Sequence, residues 1–202
     1  TNGTCSAANS SSATMTVVSD PSASQVTASQ TLCQDGTPTD LSLSVSNGTG
    51  SVSYQWYSNT SNSNSGGTVI SSNGTSATYT TVTSANGTKY YYCEVTKSGN
   101  GCDVATSDVA SVTVDATSAG GSISGGSTVC SGGGGTLTLS GHTGSVTKWQ
   151  SDDNSGFSSP SDIVNTSTSY SPSSLTTTTY YRAVVTNGTC SAANSSSATM
   201  TV

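Results

Sequence analysis

An all-β fold, built as two antiparallel β-sandwiches in tandem, is what this sequence predicts, and three observations carry that prediction. Apolar and polar residues alternate in short runs; Asn-Gly and Gly-Gly pairs separate the runs; and the whole order of runs occurs twice. Alternation with a period of two sends successive side chains to opposite faces of a strand, so each run buries one face and wets the other.

Composition leaves little room for helix. Charged residues make up 7% of the 202, with one Glu, three Lys and one Arg, against roughly 25% charged in an ordinary domain. Ser, Thr, Asn and Gly must therefore build the surface. Thr fits a pleated sheet, while Gly and Asn supply positive φ at tight turns. The formal charge is −6 with four cations. So few cations cannot neutralise a row of phosphates, which argues against nucleic acid as a partner and disfavours anionic membranes. Nine Tyr and two Trp within strand-like runs set the chain apart from disordered sequences. No apolar run approaches the ~18 residues of a membrane span, so direct membrane insertion is not expected.

Residues 1–17 read TNGTCSAANSSSATMTV, and residues 186–202 repeat them without one difference. The period is thus 185 residues. The natural reading is a tandem array, with 1–17 the C-terminal strand of a preceding repeat. A weaker repeat lies inside the period. Gly87–Thr96 aligns with Thr177–Thr186, Gln30–Cys33 with Ser127–Cys130, and Gln55-Trp56 with Lys148-Trp149. Two related domains follow, 18–115 and 116–202.

Each expected strand has its own signature. Leu41, Leu43 and Val45 alternate with polar residues, and Tyr54 and Trp56 share a face of the next run. Ser76–Thr80 makes a short strand. Tyr91, Cys93 and Val95 point one way, and Ala110–Val114 closes the domain. The second domain answers with Leu137 and Leu139, then Trp149, then Tyr181, Ala183 and Val185. Asn187-Gly188 reads as a two-residue type I′ hairpin turn. A Trp between the sheets and a Tyr two residues before position 93 are immunoglobulin features, present here in two aligned copies. The fold expected is therefore two tandem Ig-like sandwiches with Trp56, Tyr91, Trp149 and Tyr181 in their cores.

Six cysteines in a low-charge, repeat-built chain suggest an oxidising compartment. The second domain holds only Cys130 and Cys190, which are expected to pair, and their counterparts Cys33 and Cys102 would then pair in the first. The alternative joins Cys33 to Cys93, in a more antibody-like staple, and frees Cys102. Under the first pairing Cys93, opposite the alanine at 183, is a buried free thiol. Cys5 repeats Cys190, and its partner would lie outside the chain. A bridge inside a domain of this size adds ~4 kcal/mol in the chain-entropy model.

Residues able to do chemistry are few. The lone His142 sits in Ser140–Gly144, a turn, with no partner base, nucleophile or second metal ligand. Glu94 is solitary, so paired-carboxylate catalysis has no basis. Asp152 and Asp153, with Asp162 nearby, form an oxygen-rich loop to be weighed as a weak Ca²⁺ candidate against a solvated loop; no cofactor is otherwise expected. Asn-X-Ser/Thr triplets at Asn47, Asn86, Asn165 and Asn187 follow from composition. Tyr57, Tyr90, Tyr92 and Tyr180 are candidates for stacking on sugars, with cross-strand packing as the alternative.

Thr31–Thr37, Tyr54–Thr60, Gly66-Gly67-Thr68 and Tyr90–Cys93 together resemble the Ig-like tandem repeats of giant cell-surface adhesins of gliding Bacteroidetes. Gly141–Val146 with Tyr180–Val185 resembles a second repeat type of such proteins. The resemblance implies type IX secretion, an extracellular filament attached to the outer membrane, and adhesion to surfaces or polysaccharide during gliding. Short links, Val17–Pro21 and Val114–Thr117, imply neighbouring repeats as the chief partners and a semi-rigid stalk of ~30–40 Å per domain. Two other readings remain open: a glycan-binding Ig-like module, and a pilus-like polymer in which 1–17 is a donated strand.

Overall fold

The computed structural model describes residues 3–4, 6–99 and 104–202, and among them there is no helix. The first domain runs β1 (Ser22–Gln25), β2 (Gln30–Cys33), β3 (Leu41–Ser46), β4 (Val52–Asn59), β5 (Thr68–Val69), β6 (Thr78–Tyr79), β7 (Gly87–Lys97), β8 (Val104–Thr106) and β9 (Ala110–Asp115). The second repeats the series as β10 (Ser122–Ser124), β11 (Ser127–Thr128), β12 (Leu137–Ser140), β13 (Ser145–Asp152), β14 (Ser161–Ile163), β15 (Ser169–Tyr170), β16 (Thr179–Thr186), β17 (Ala193–Asn194) and β18 (Ala198–Thr201).

Each domain is an Ig-like sandwich. A three-stranded sheet, β1-β3-β6 or β10-β12-β15, faces a larger one, β2-β9-β7-β4-β5 or β11-β18-β16-β13-β14; β8 and β17 add to β7 and β16. Pairing is antiparallel except where β2 lies parallel to β9 and β11 parallel to β18. That exception matters, because it delivers Cys33 to the end of the domain, opposite Asp115.

Two separate cores result. In the first, Leu41 and Tyr79 of one sheet meet Trp56, Tyr91, Cys93, Val95 and Val112 of the other. In the second, Leu137 and Leu139 meet Trp149, Tyr181, Ala183, Val185 and Met200. Both indoles are fully buried, at 0% exposure, and each N–H is satisfied: Trp56 Nε1 donates to the Ser76 carbonyl at 3.0 Å and Trp149 Nε1 to that of Ser167 at 2.9 Å. Tilted rings then continue across each core, Trp56–Tyr79–Tyr91 at 6.0 and 5.7 Å, and Trp149–Tyr170–Tyr181 at 5.8 and 5.7 Å. Such tilted pairs favour the ring quadrupoles as well as burying area.

The structure corrects three local expectations. Residues 6–17 form no strand and lie exposed, although the identical 186–202 contributes β17 and β18. Met15 is 92% exposed, and its copy Met200 is 0% exposed. The segment has no neighbour to complete: β18 takes its hydrogen bonds from β16 and β11, and nothing equivalent stands beside 6–17. Asn187-Gly188 is not a two-residue I′ turn. Six residues separate β16 from β17, and of that pair only Gly188 has positive φ, where I′ needs two. Tyr92, expected on the outer surface, is buried.

Candidate functional site at the domain junction

The cysteines meet where the two sandwiches join. Cys33 is bonded to Cys190, with Cα atoms 4.7 Å apart and a sequence separation of 157. This overturns the expected pairs Cys33–Cys102 and Cys130–Cys190, and the alternative Cys33–Cys93. Cys102 and Cys5 lie outside the described residues. Cys130 is unbonded and exposed, and Cys93 is unbonded and buried. The physical reason lies in the topology: β2 and β11 run toward the far pole of their own domain, whereas the connection between β16 and β17 sits at the near pole of its domain. Cys33, at the end of β2, and Cys190, between β16 and β17, therefore face each other across the junction.

Polar contacts surround the bond. The Asp115 carboxylate accepts from the Thr189 backbone N–H at 2.8 Å and from its hydroxyl at 3.1 Å. Asn187 Nδ2 donates to the Ala116 carbonyl at 2.7 Å, and its backbone N–H donates to the Ser118 hydroxyl at 2.9 Å. On the first domain's side, Gln34 N–H donates to the Asp115 carbonyl at 2.8 Å. The turn closes when Cys190 N–H donates to the Asn187 carbonyl at 2.9 Å. Gly188, at φ +50°, lets that turn lie against Asp115; a Cβ there would collide with the carboxylate. Asn187 is thus a junction residue, its amide committed to the link between domains. The sequence reading placed Gly188 in a turn and Asp115 in a link but missed that the two meet, since neither pattern nor composition marks a contact between domains.

Elsewhere the candidate residues are engaged in holding the fold. Asp152 accepts N–H bonds from Asn154 and Ser159, both at 3.0 Å, and those backbone donors hold its carboxyl below the usual range. Lys148 pairs with Asp162 at 2.7 Å and Gln150 donates to it at 2.8 Å; the lysine first, then the amide, lowers its pKa. Arg182 links to Gln150 at 2.8 Å and lies over Phe157 at 4.3 Å. Asp153 is exposed beside these residues. Among the described residues no group of three or more His, Cys, Asp or Glu stands where a metal ion could be held. His142 is half-buried, with Nδ1 unpartnered.

The tyrosines favour packing over sugar stacking. Tyr57 and Tyr92 stack at 4.9 Å, 3° from parallel. Tyr57 donates to Glu94 at 2.8 Å, which raises its pKa, and Gly67 N–H donates to the Tyr92 hydroxyl at 3.0 Å. Tyr90 and Tyr180 are half-buried.

Two buried serines were also missed. Ser107 Oγ accepts the Cys93 N–H at 3.0 Å, and Ser195 Oγ accepts the Ala183 N–H at 2.9 Å. Each stands three residues before the alanine that opens the closing strand, Ala110 or Ala198, and that shared spacing is the signal that would have found them.

A sequence profile of a domain of unknown function, DUF8696, matches twice, over residues 22–116 and 119–202. The chain belongs to this family. Its two DUF8696 domains are similar in fold to several solved structures. One is the N-terminal four Ig domains of Dscam1 isoform 6.9, at 16% identity and TM-score 0.48, covering 92% of this chain and 46% of that one. Others are murine CEACAM1b, at 17% identity and TM-score 0.44, covering 90% and 98%, and fibronectin(III)-like modules of Clostridium thermocellum CbhA, at 15% and 0.38, covering 89% and 93%. This chain thus spans about half the length of the Dscam1 fragment. No curated protein matches in sequence.

Proposed function

We propose that this chain is a structural stalk repeat of a long, secreted cell-surface adhesin filament, non-enzymatic, which holds an adhesive tip away from the cell. An Ig-like tandem of this kind suits a structural or adhesive module. The observation that carries the finer reading is the Cys33–Cys190 bond, because it joins successive domains where a bond inside one domain would only have stabilised that domain. Covalent closure of a junction resists bending and parting, which is what a load-bearing spacer needs. The 17-residue identity supplies the array, and the low charge with an oxidised cysteine pair agrees with an extracellular setting. Export by a type IX route, attachment to the outer membrane and gliding remain part of the proposal through the resemblance alone.

Pulling the chain by its ends in a single-molecule instrument tests this reading. The bond shields residues 34–189 from load, so about 550 Å of unfolding length at ~3.5 Å per residue is withheld until reductant is added. Full-length unfolding of the oxidised chain would sink it.

A further inference from the structure

Cys130 opens a turn that duplicates the one holding Cys33. Both follow a short strand lying parallel to the domain's last strand, with Gln30 opposite Val112 and Ser127 opposite Met200. Gly36 N–H donates back to the Cys33 carbonyl at 2.9 Å, and Gly133 N–H to the Cys130 carbonyl at 2.8 Å. The third residue of each turn has positive φ, +61° at Asp35 and +82° at Gly132. Each of these also donates its N–H across the sandwich, Asp35 to the Thr83 carbonyl at 3.0 Å and Gly132 to that of Leu175 at 2.7 Å. One backbone frame therefore presents both cysteines at the same pole of its domain. At the first domain's pole the next domain's Cys190 is bonded to Cys33; at the second domain's pole Cys130 is exposed and unbonded.

The repeat says what meets that second pole. After a second domain the array returns to a domain of the first type. Its cysteine between β7 and β8 is Cys102, the sequence counterpart of Cys190 between β16 and β17. We infer that Cys130 is a covalent docking site for Cys102 of the following period, so that both junctions of every period carry the same staple. The inference rests on the array reading. Forming each bond removes two protons and two electrons from the pair of thiols. A small-molecule or protein disulfide accepts them and leaves as two thiols.

The test is a chain carrying the 185-residue period twice, oxidised with glutathione disulfide, blocked with maleimide, digested without reduction and mapped by mass spectrometry. The expected result is a peptide joining Cys130 of the first period to Cys102 of the second, at a yield within about twofold of the Cys33–Cys190 peptide, since both ends are tethered at comparable effective concentration. Cys130→Ser should abolish that peptide and leave the second-period Cys102 maleimide-labelled, with Cys33–Cys190 intact. A maleimide-labelled Cys130 in the unsubstituted first period, or one bonded to any other cysteine, overturns the inference while leaving the stalk reading standing. Absence of the Cys33–Cys190 peptide overturns both. If the serine variant fails to fold, the map of the unsubstituted chain decides.

Discussion

At the scale of single residues, the two indoles fill the space between sheets and their N–H groups are satisfied by carbonyls of the opposite side. Trp56→Ala should therefore cost about 3–5 kcal/mol, as large-to-small core substitutions do, read as a lowered denaturant midpoint with both domains followed separately. Ser107 is fully buried and serves as acceptor for Cys93 N–H while donating to the Asp108 carbonyl at 2.8 Å. Ser107→Ala strands that N–H, and about 1–3 kcal/mol of stability should be lost; Ser195→Ala should do the same in the second domain. Burial pushes the Cys93 thiol up to about 11 from 9.0, and the Tyr91 phenol to about 12 from 10.0. Both groups prefer their protonated form more strongly in the folded state. Their contribution is then complete below pH 9 and declines as pH rises from there toward 12, because the unfolded chain loses its protons first. Urea titrations between pH 8 and 11.5 should show falling stability. A flat profile would mean that neither group is shielded as its burial indicates.

At the scale of elements, one stretch of sequence adopts two states. Residues 186–202 form β17 and β18 because β16 and β11 offer hydrogen bonds and a core; their copy at the start of the chain has neither. Deleting residues 1–17 should leave the thermal midpoint of both domains unchanged within about 1 °C, as expected for a segment without stabilising contacts. The loop after β13 is closed by Asp152 and the strand β14 by Asp162 pairing with Lys148 and Gln150. Those carboxylates are occupied by internal donors, so Ca²⁺ at millimolar concentration should not shift the melting temperature. A rise of several degrees would reinstate the loop as a metal site. At the junction, Asp115→Ala removes the acceptor of two bonds from Thr189. It should weaken docking by about 1–2 kcal/mol once the neighbouring disulfide is reduced, and much less while it is closed.

At the scale of the whole molecule, the disulfide joins residues 157 apart in sequence and closes a loop that takes in most of both domains. Closing a loop of that length removes about 5 kcal/mol of denatured-state entropy in the chain-entropy model. The benefit is shared by the pair, so reduction should lower the stability of both domains together. Serine at either Cys33 or Cys190 should reproduce the effect of reductant, and calorimetry with and without reductant reads it directly. A variant that melts as the oxidised parent does would show that the bond contributes nothing to the joined state.

Alternation with a period of two, the paired Trp positions and the repeated Tyr runs were enough to place the principal strands and to put Trp56, Tyr91, Trp149 and Tyr181 in two cores, because burial of one face is a local consequence of side-chain direction. Only the tertiary structure decided which cysteines meet. Two domains aligned by sequence invite pairing within each, yet the parallel placement of β2 beside β9 carries Cys33 to the pole where the second domain arrives. Strand direction within a sheet is settled by neighbours far away in the chain, and no short-range pattern records it. The same holds for the twin copies of TNGTCSAANSSSATMTV: identical residues become strand or exposed coil according to whether a sheet edge and a core stand beside them.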